Sequence, residues 1–265
     1  MGNSLWSRWN GLLGSLGGPA VLERPVPLPP ARLAVPALGR ALGHALDADG
    51  VEATIHSQVA GYALVQQLRS EVAGRLGRAD GASLVCAVGV LAGQACQHGL
   101  RRAALANGLE PAQVLHEHRL GDGNTYYSGE LLERVLLEQH PSLWSITAAN
   151  ARRAGLAPEA LPNLGRLQAR VQASRGTVDF GQLQQQQPVQ PLRPPLEWLG
   201  LWPQVQQLLE DSALEPAQWQ LALAMAARQV CREDAAALPP AAWLALLMES
   251  ALVGCTADQR HRARA

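Results

Sequence analysis

The side chains best suited to chemistry are concentrated between residues 113 and 130. Six of them, with two imidazoles, two carboxylates and two phenols, are candidates for a shared site: His116, His118, Asp122, Tyr126, Tyr127 and Glu130. Groups of these kinds bind small polar ligands and exchange protons with them when they converge on one pocket. We therefore take these six residues as the candidate ligand-binding site, and we assign no catalytic residue.

The same segment lacks a complete set of metal ligands. His116-Glu117-His118 would place two imidazoles on one face of an extended chain, because strand side chains alternate between faces. Zinc needs at least a third ligand, and the sequence has neither an H-E-x-x-H motif nor a cysteine pair at metal spacing. The residues from Asp122 onward also depart from the calcium-loop spacing after Asn124. We predict neither a metal nor a cofactor.

The cysteines and the lack of lysine argue against several enzyme classes. Cys86, Cys96, Cys231 and Cys255 lie in apolar runs without a C-x-x-C spacing, which indicates buried structural thiols and a reducing, cytoplasmic compartment. Cys96 and His98 are two residues apart, so they would lie on different sides of a helix. All 22 positive residues are arginines, which excludes a Schiff-base lysine, a phosphate-loop lysine and a Ser-Lys dyad.

Trp6 and Trp9 are the candidate partner-binding residues. They lie in a short apolar stretch ahead of a proline-rich connector, and we predict that residues 1–36 form an arm. Tryptophan is enriched at interface hot spots, so aromatic anchors on such a segment suit partner binding. Docking on the body of the protein and docking on a membrane surface are the alternatives.

The overall composition is typical of a soluble globular protein. The chain has 265 residues, 48% of them apolar, and its 22 basic residues are balanced by 22 acidic ones. Nucleic-acid-binding domains normally carry a basic excess, so we expect no nucleic-acid partner. The absence of lysine, with abundant alanine, leucine and glycine, is typical of proteins encoded by GC-rich bacterial genomes.

Two long helices are predicted in the first half of the chain. Asp49 is an N-cap candidate with Glu52 three residues later, and apolar residues then recur at helical spacing as far as Gly77. We expect this stripe to face the core; it contains Val51, Ile55, Val59, Tyr62, Leu68, Val72 and Leu76. The second helix runs from about residue 83 to 106, where Asn107-Gly108 ends it.

This second helix raises the question of a membrane span. Residues 81–100 carry no formal charge and are numerous enough to cross a bilayer. They include Ser83, Gln94 and Gln97, however, and alanine and glycine supply little transfer energy. A stripe of small residues would instead let another helix approach closely. We therefore predict a buried central helix, around which the fold assembles.

The remaining elements follow from turn and breaker residues. We predict a β-hairpin near 113–127, helices at about 129–139, 142–154 and 162–175, a Gln/Pro linker at 181–195, helices at about 196–211, 216–232 and 240–253, and a basic tail at 257–265. Ser142 is an N-cap candidate, and Pro203 should break or restart the helix in which it lies. Most of the tryptophans after the arm are expected in the core.

The predicted fold class is mainly α. It consists of a multi-helix globular body (37–180) with one small β-hairpin, followed by a C-terminal helical subdomain (196–256). The leading functional hypothesis is a non-catalytic cytoplasmic interaction or adaptor protein that binds a protein partner. One alternative is an enzyme or small-ligand-binding protein with a pocket beside the 113–130 hairpin. The other is a peripheral membrane protein anchored by its N-terminal Trp/Leu stretch.

Overall fold

The computed structural model describes residues 50–183, 189–212 and 214–261. The predicted arm with Trp6 and Trp9, the Asp49 N-cap and the run of glutamines within the linker therefore lie outside the described residues. The placement of these segments stays a prediction.

The described residues form a mainly α fold with one two-stranded antiparallel hairpin, as predicted. In chain order the elements are α1 (Gly50–Leu76), α2 (Gly81–Ala106), β1 (His116–Arg119), β2 (Thr125–Ser128), α3 (Glu130–Glu133), α4 (Leu143–Arg153), α5 (Leu164–Ser174), α6 (Pro195–Trp198), α7 (Trp202–Asp211), α8 (Trp219–Glu233) and α9 (Pro240–Thr256). A π-helical segment, Arg134–Glu138, continues α3, and single 3-10 turns lie at Pro111–Gln113, Pro158–Ala160, Leu199–Leu201 and Pro216–Gln218.

Local sequence signals set the ends of several helices. Ser142 caps α4, because its side chain accepts a hydrogen bond from the backbone N–H of Ser145 at 3.1 Å. Asp80 caps α2 in the same way through the N–H of Ser83. Gly108 follows α2 with a φ of +70°, a conformation that favours glycine. Pro203 occupies the first turn of α7, where its missing N–H costs nothing, so it restarts the helix as predicted.

Helix α2 lies at the centre of the core. Within the described residues it is the one helix long and apolar enough to cross a membrane by length and composition. Its most apolar window is 94% buried inside the protein, however, as is usual for the core helix of a globular fold. The prediction of a buried central helix is confirmed. Four tryptophans also predicted to be core are fully or almost fully buried around it: Trp198, Trp202, Trp219 and Trp243.

Helix α9 contacts α2 almost backbone to backbone. A Cβ atom added at Gly89 would lie 2.6 Å from the carbonyl oxygen of Leu247. One added at Gly93 would collide with the carbonyl of Ala251, and one added at Gly254 with that of Val90. Only glycine permits this approach, because any side chain at these positions would hold the two helices apart.

Helix α8 fills the space between α1 and α2. On α1, Gly61 faces the backbone of Ala222 in α8. Near the other end of the contact, the guanidinium of Arg69 binds the carboxylates of Glu233 and Asp234 in α8 and the residue after it, each at 2.7 Å. The C-terminal helices thus share one hydrophobic core with the two long N-terminal helices.

The contact between α2 and α9 can be tested with a matched pair of glycine substitutions. Gly93→Ala should lower the free energy of unfolding by about 2–3 kcal/mol, because its methyl group meets backbone atoms that cannot rotate away. Gly74→Ala is the control, since Gly74 lies at an exposed position of α1, with no atom within 4 Å of the added Cβ. We expect it to stabilise the protein by about 0.5–1 kcal/mol. Urea unfolding measures the unfolding free energy of both variants. Equal effects of the two substitutions would contradict the close contact between α2 and α9.

Candidate functional site

The hairpin that carries the candidate residues forms where the sequence predicted it. β1 pairs with β2 in antiparallel register, with His118 opposite Tyr126 and Glu117 opposite Tyr127. Gly123 adopts a φ of +80° in the connecting turn. Asp122 closes this turn by accepting hydrogen bonds from the backbone N–H of Asn124 at 3.1 Å and from its side-chain amide at 3.0 Å.

Three of the six candidate residues, Asp122, Tyr126 and Tyr127, form the candidate cluster at the hairpin; of these, Asp122 and Tyr126 contact each other directly. Tyr126 is fully buried, and its hydroxyl donates a hydrogen bond to the carboxylate of Asp122. Tyr127 is buried on the opposite face of β2, as expected for adjacent residues of a strand. The guanidinium of Arg101, in α2, lies 4.0 Å from the centre of the Tyr127 ring. These contacts fix the hairpin on the core.

The other three candidates lie at the surface, apart from this cluster. His116 and His118 are exposed on β1. The Nε2 atom of His118 lies 2.8 Å from the hydroxyl of Ser128 on the paired strand. Glu130 forms an exposed ion pair with Arg134 one helical turn later. Among the described residues, no group of three or more His, Cys, Asp or Glu side chains is placed to hold a metal ion.

The segment after α9 completes the cluster, and sequence reasoning did not assign it to the site. Ala257 forms an antiparallel bridge with Tyr126, and the N–H of Asp258 donates to the carbonyl of Thr125 at 3.2 Å. The Tyr127 hydroxyl donates to the Asp258 carboxylate at 3.1 Å. The ring of His261 packs edge-on against Tyr126, with 5.5 Å between centroids. Residues 257–258 therefore pair with the free edge of β2 through one isolated bridge and one further backbone hydrogen bond.

The environment of the cluster favours one protonation state for each of its titratable groups. Burial, together with the hydrogen bond to Asp122, raises the pKa of Tyr126 to about 12, and burial also raises the pKa of Tyr127. Burial opposes ionisation of Asp122, but its hydrogen bonds from Tyr126 and Asn124 hold its pKa below the usual value. Burial lowers the pKa of His261. At neutral pH the phenols therefore stay donors, and the Asp122 carboxylate stays an acceptor.

The four cysteines are buried thiols, as the sequence predicted. Burial raises the pKa of Cys86 and of Cys255 to about 12, and it raises the pKa values of Cys96 and Cys231 as well. The thiolate is the nucleophilic form of cysteine, and burial therefore suppresses that form at neutral pH. His98 packs on Trp202 and is not placed to deprotonate Cys96; the Cys96 thiol instead faces Gln220.

One of the cavities lined by described residues has a volume of about 410 Å³ and is lined by the end of α5, the loop 177–183 and Val253 of α9. A second, of about 20 Å³, lies between Tyr127 at the end of β2 and α5. The third, of about 10 Å³, lies between α2, α8 and Gln139. Tyr127 is the one candidate residue that lines any of these three cavities.

An exposed apolar surface lies on α1, where the sequence prediction was wrong. Ile55 and Tyr62 were expected in the core, yet they are 51% and 55% exposed. They are seven residues apart and so lie on one face of the helix, with half-buried Val59 between them. Helix α8 packs instead against the opposite face, which includes Ala60, Gly61 and Leu64. We call Ile55, Val59 and Tyr62 the apolar face of α1.

The segment around this face carries no charge. Between residues 53 and 68 there is no Asp, Glu, Lys or Arg, and the exposed polar positions next to the apolar face are Gln58 and Gln66.

Comparisons with protein-family models, with curated proteins and with solved structures found no match to this chain. A functional proposal therefore depends on these surfaces and cavities.

The half-buried histidine of α2, His98, gives the protein a predicted sensitivity to acid. Burial, aided by the charge of nearby Arg101, lowers the pKa of His98 to about 4, whereas an unfolded histidine titrates near 6.5. The unfolded state therefore binds a proton first as the pH falls, and stability is lost between about pH 6.5 and 4. His98→Gln should reduce this loss of unfolding free energy by on the order of 2 kcal/mol. Urea unfolding at a series of pH values measures the effect. His116→Gln, at an exposed position of β1, is the control. If His98→Gln leaves the dependence of stability on pH unchanged, His98 is not the cause of the acid sensitivity.

Proposed function

We propose that this chain is a non-catalytic interaction protein that binds a protein partner through the apolar face of α1. The single observation that carries the proposal is the exposure of Ile55 and Tyr62 on one side of a charge-free half of a long helix. Burying apolar surface contributes about 25 cal/mol per Å², so two large half-exposed side chains offer a partner a substantial gain. Tyrosine is also enriched at protein interfaces.

The surroundings of α1 support this proposal because they hold the helix rigidly. The face opposite the apolar face packs closely on α8 through Gly61 and Ala222. The Arg69 ion pairs with Glu233 and Asp234 fix the next turns of the same helix. A partner would therefore meet a helix that is already ordered, and little conformational entropy would be lost on binding.

The chemistry of the face points to the kind of partner. Its apolar residues follow the i, i+4, i+7 spacing by which one helix contacts another. Without charged residues nearby, the partner surface is expected to be an apolar helix face with uncharged polar groups at its edge, opposite Gln58 and Gln66. The balanced charge of the whole chain supports a protein rather than a nucleic-acid partner. A cytoplasmic location is part of the same proposal, supported by the four unpaired, buried cysteines.

Paired substitutions on α1 test the proposed function. The full-length double variant Ile55→Ser/Tyr62→Ser should lose at least tenfold in affinity for a partner captured from the native host, because each side chain would bury its exposed apolar surface. Leu105→Ser is the matched control, since Leu105 is 59% exposed on a different helix. Capture followed by mass spectrometry identifies the partner, and titration then measures affinity. Equal capture by the wild-type chain, the double variant and the control would exclude this face as the binding surface.

A second candidate function is small-ligand binding in the cavity of about 410 Å³. Its volume is within the range of about 300–1,000 Å³ that is usual for ligand pockets. Arg170 lines it and is also paired with the buried carboxylate of Glu249, so a charged group is fixed beside a cavity with both polar and apolar lining residues. This cavity differs from the pocket beside the 113–130 hairpin, which was an alternative hypothesis from the sequence.

A ligand screen separates this second candidate from the first. Ala173→Trp should fill the cavity, because Ala173 lines it. A metabolite that raises the melting temperature of the wild-type chain should fail to raise that of the variant. The α1 double variant should keep the response. If every stabilising compound acts equally on wild type and Ala173→Trp, ligand binding in this cavity is excluded.

A further inference from the structure

The cavity of about 10 Å³ lies where three parts of the core meet. It is lined by α2 through Ala95, Cys96, Gly99 and Leu100, by Val135 and Gln139 in and after the π-helical segment, and by Pro216, Ala217 and Gln220 at the start of α8. Gln220 is 2% exposed, and the thiol of Cys96 lies 3.7 Å from its amide oxygen. The amide oxygen therefore has a contact within the core.

Two other amide atoms at this cavity are buried without a partner. The Nε2 atom of Gln220 and the Oε1 atom of Gln139 have no hydrogen-bond partner among the residues that the structure describes. Both side chains line the same cavity. Buried amide groups are nearly always hydrogen-bonded, because leaving one without a partner costs its full desolvation.

We propose that one water molecule binds in this cavity, accepting a hydrogen bond from Gln220 Nε2 and donating one to Gln139 Oε1. The available volume of about 10 Å³ is close to what a single water needs, and it excludes any larger ligand. The two amides present one donor and one acceptor. A molecule that both donates and accepts is required, and water is the smallest neutral one.

This water connects two different elements of the core. Gln220 belongs to α8, and Gln139 immediately follows the π-helical segment. A bridge between them would fix the end of that segment on the core. Buried waters with two or more protein partners are integral parts of a fold and costly to remove.

The water can be observed directly in the full-length wild-type chain. A high-resolution crystal structure should show one density peak about 2.7–3.2 Å from both Gln220 Nε2 and Gln139 Oε1. In solution, the side-chain amide protons of Gln220 should show a nuclear Overhauser effect to a long-lived water. A direct hydrogen bond between the two amides, or a cavity without density, would overturn the proposal. This measurement needs no variant.

A substitution distinguishes a hydrated cavity from a dry one by the sign of its effect. Gln220→Met keeps the side-chain volume but removes the donor. If water bridges the two amides, the melting temperature should fall by on the order of 2–4 °C, because Gln139 loses its partner. If the cavity is dry, the same change removes a buried N–H group without a partner and loses only the weak contact from the Cys96 thiol, so the melting temperature should rise. Gln204→Met, at an exposed site on α7, is the matched control.

Discussion

The architecture depends on the close contact between α2 and α9. Gly93 and Gly254 let the two backbones approach, and the buried apolar residues of the other helices belong to the same hydrophobic core. A side chain larger than hydrogen at either position would move α9 away from the core. Because protein interiors are close-packed, such a shift would reach all the neighbouring helices. The composition of α2, with its small residues and no charge before Arg101, is the direct consequence of this constraint.

The same contact determines where the hairpin lies. Gln94 and Gln97 on α2 donate their side-chain amides to carbonyl groups at the end of α9, including that of Ala257 at 2.9 and 3.2 Å. Ala257 is in turn the residue that bridges Tyr126 on β2. A continuous set of hydrogen bonds thus runs from the central helix through the end of α9 to the hairpin. The polar residues of an otherwise apolar helix have a structural purpose, since they replace the capping that the end of α9 lacks.

The sequence predicted the elements better than their contacts. Helix ends at Ser142, Gly108 and Pro203 follow from local backbone chemistry, which the sequence contains in full. The hairpin turn at Asp122, with a tyrosine packed beneath it, was predictable for the same reason. The exposure of Ile55 and Tyr62 was not, because a 27-residue helix carries apolar residues around more than one face, and periodicity does not reveal which face meets α8.

The segment after α9 shows the same limit of sequence prediction at the candidate site. Asp258 and His261 reach the tyrosines of the hairpin through backbone pairing of residues more than a hundred positions apart, and such pairing leaves no local signature. When Asp258 is included, the carboxylates and phenols of the cluster are hydrogen-bonded to one another. Asp122 accepts from Tyr126 and Asn124, and Tyr127 donates to Asp258. A catalytic site needs polar groups that can change partners during a reaction, whereas these groups stabilise one arrangement.

The apolar face of α1 differs physically, since Ile55 and Tyr62 retain surface that only another molecule, or another part of this chain, can remove from water. That difference is why we base the functional proposal on α1 rather than on the hairpin.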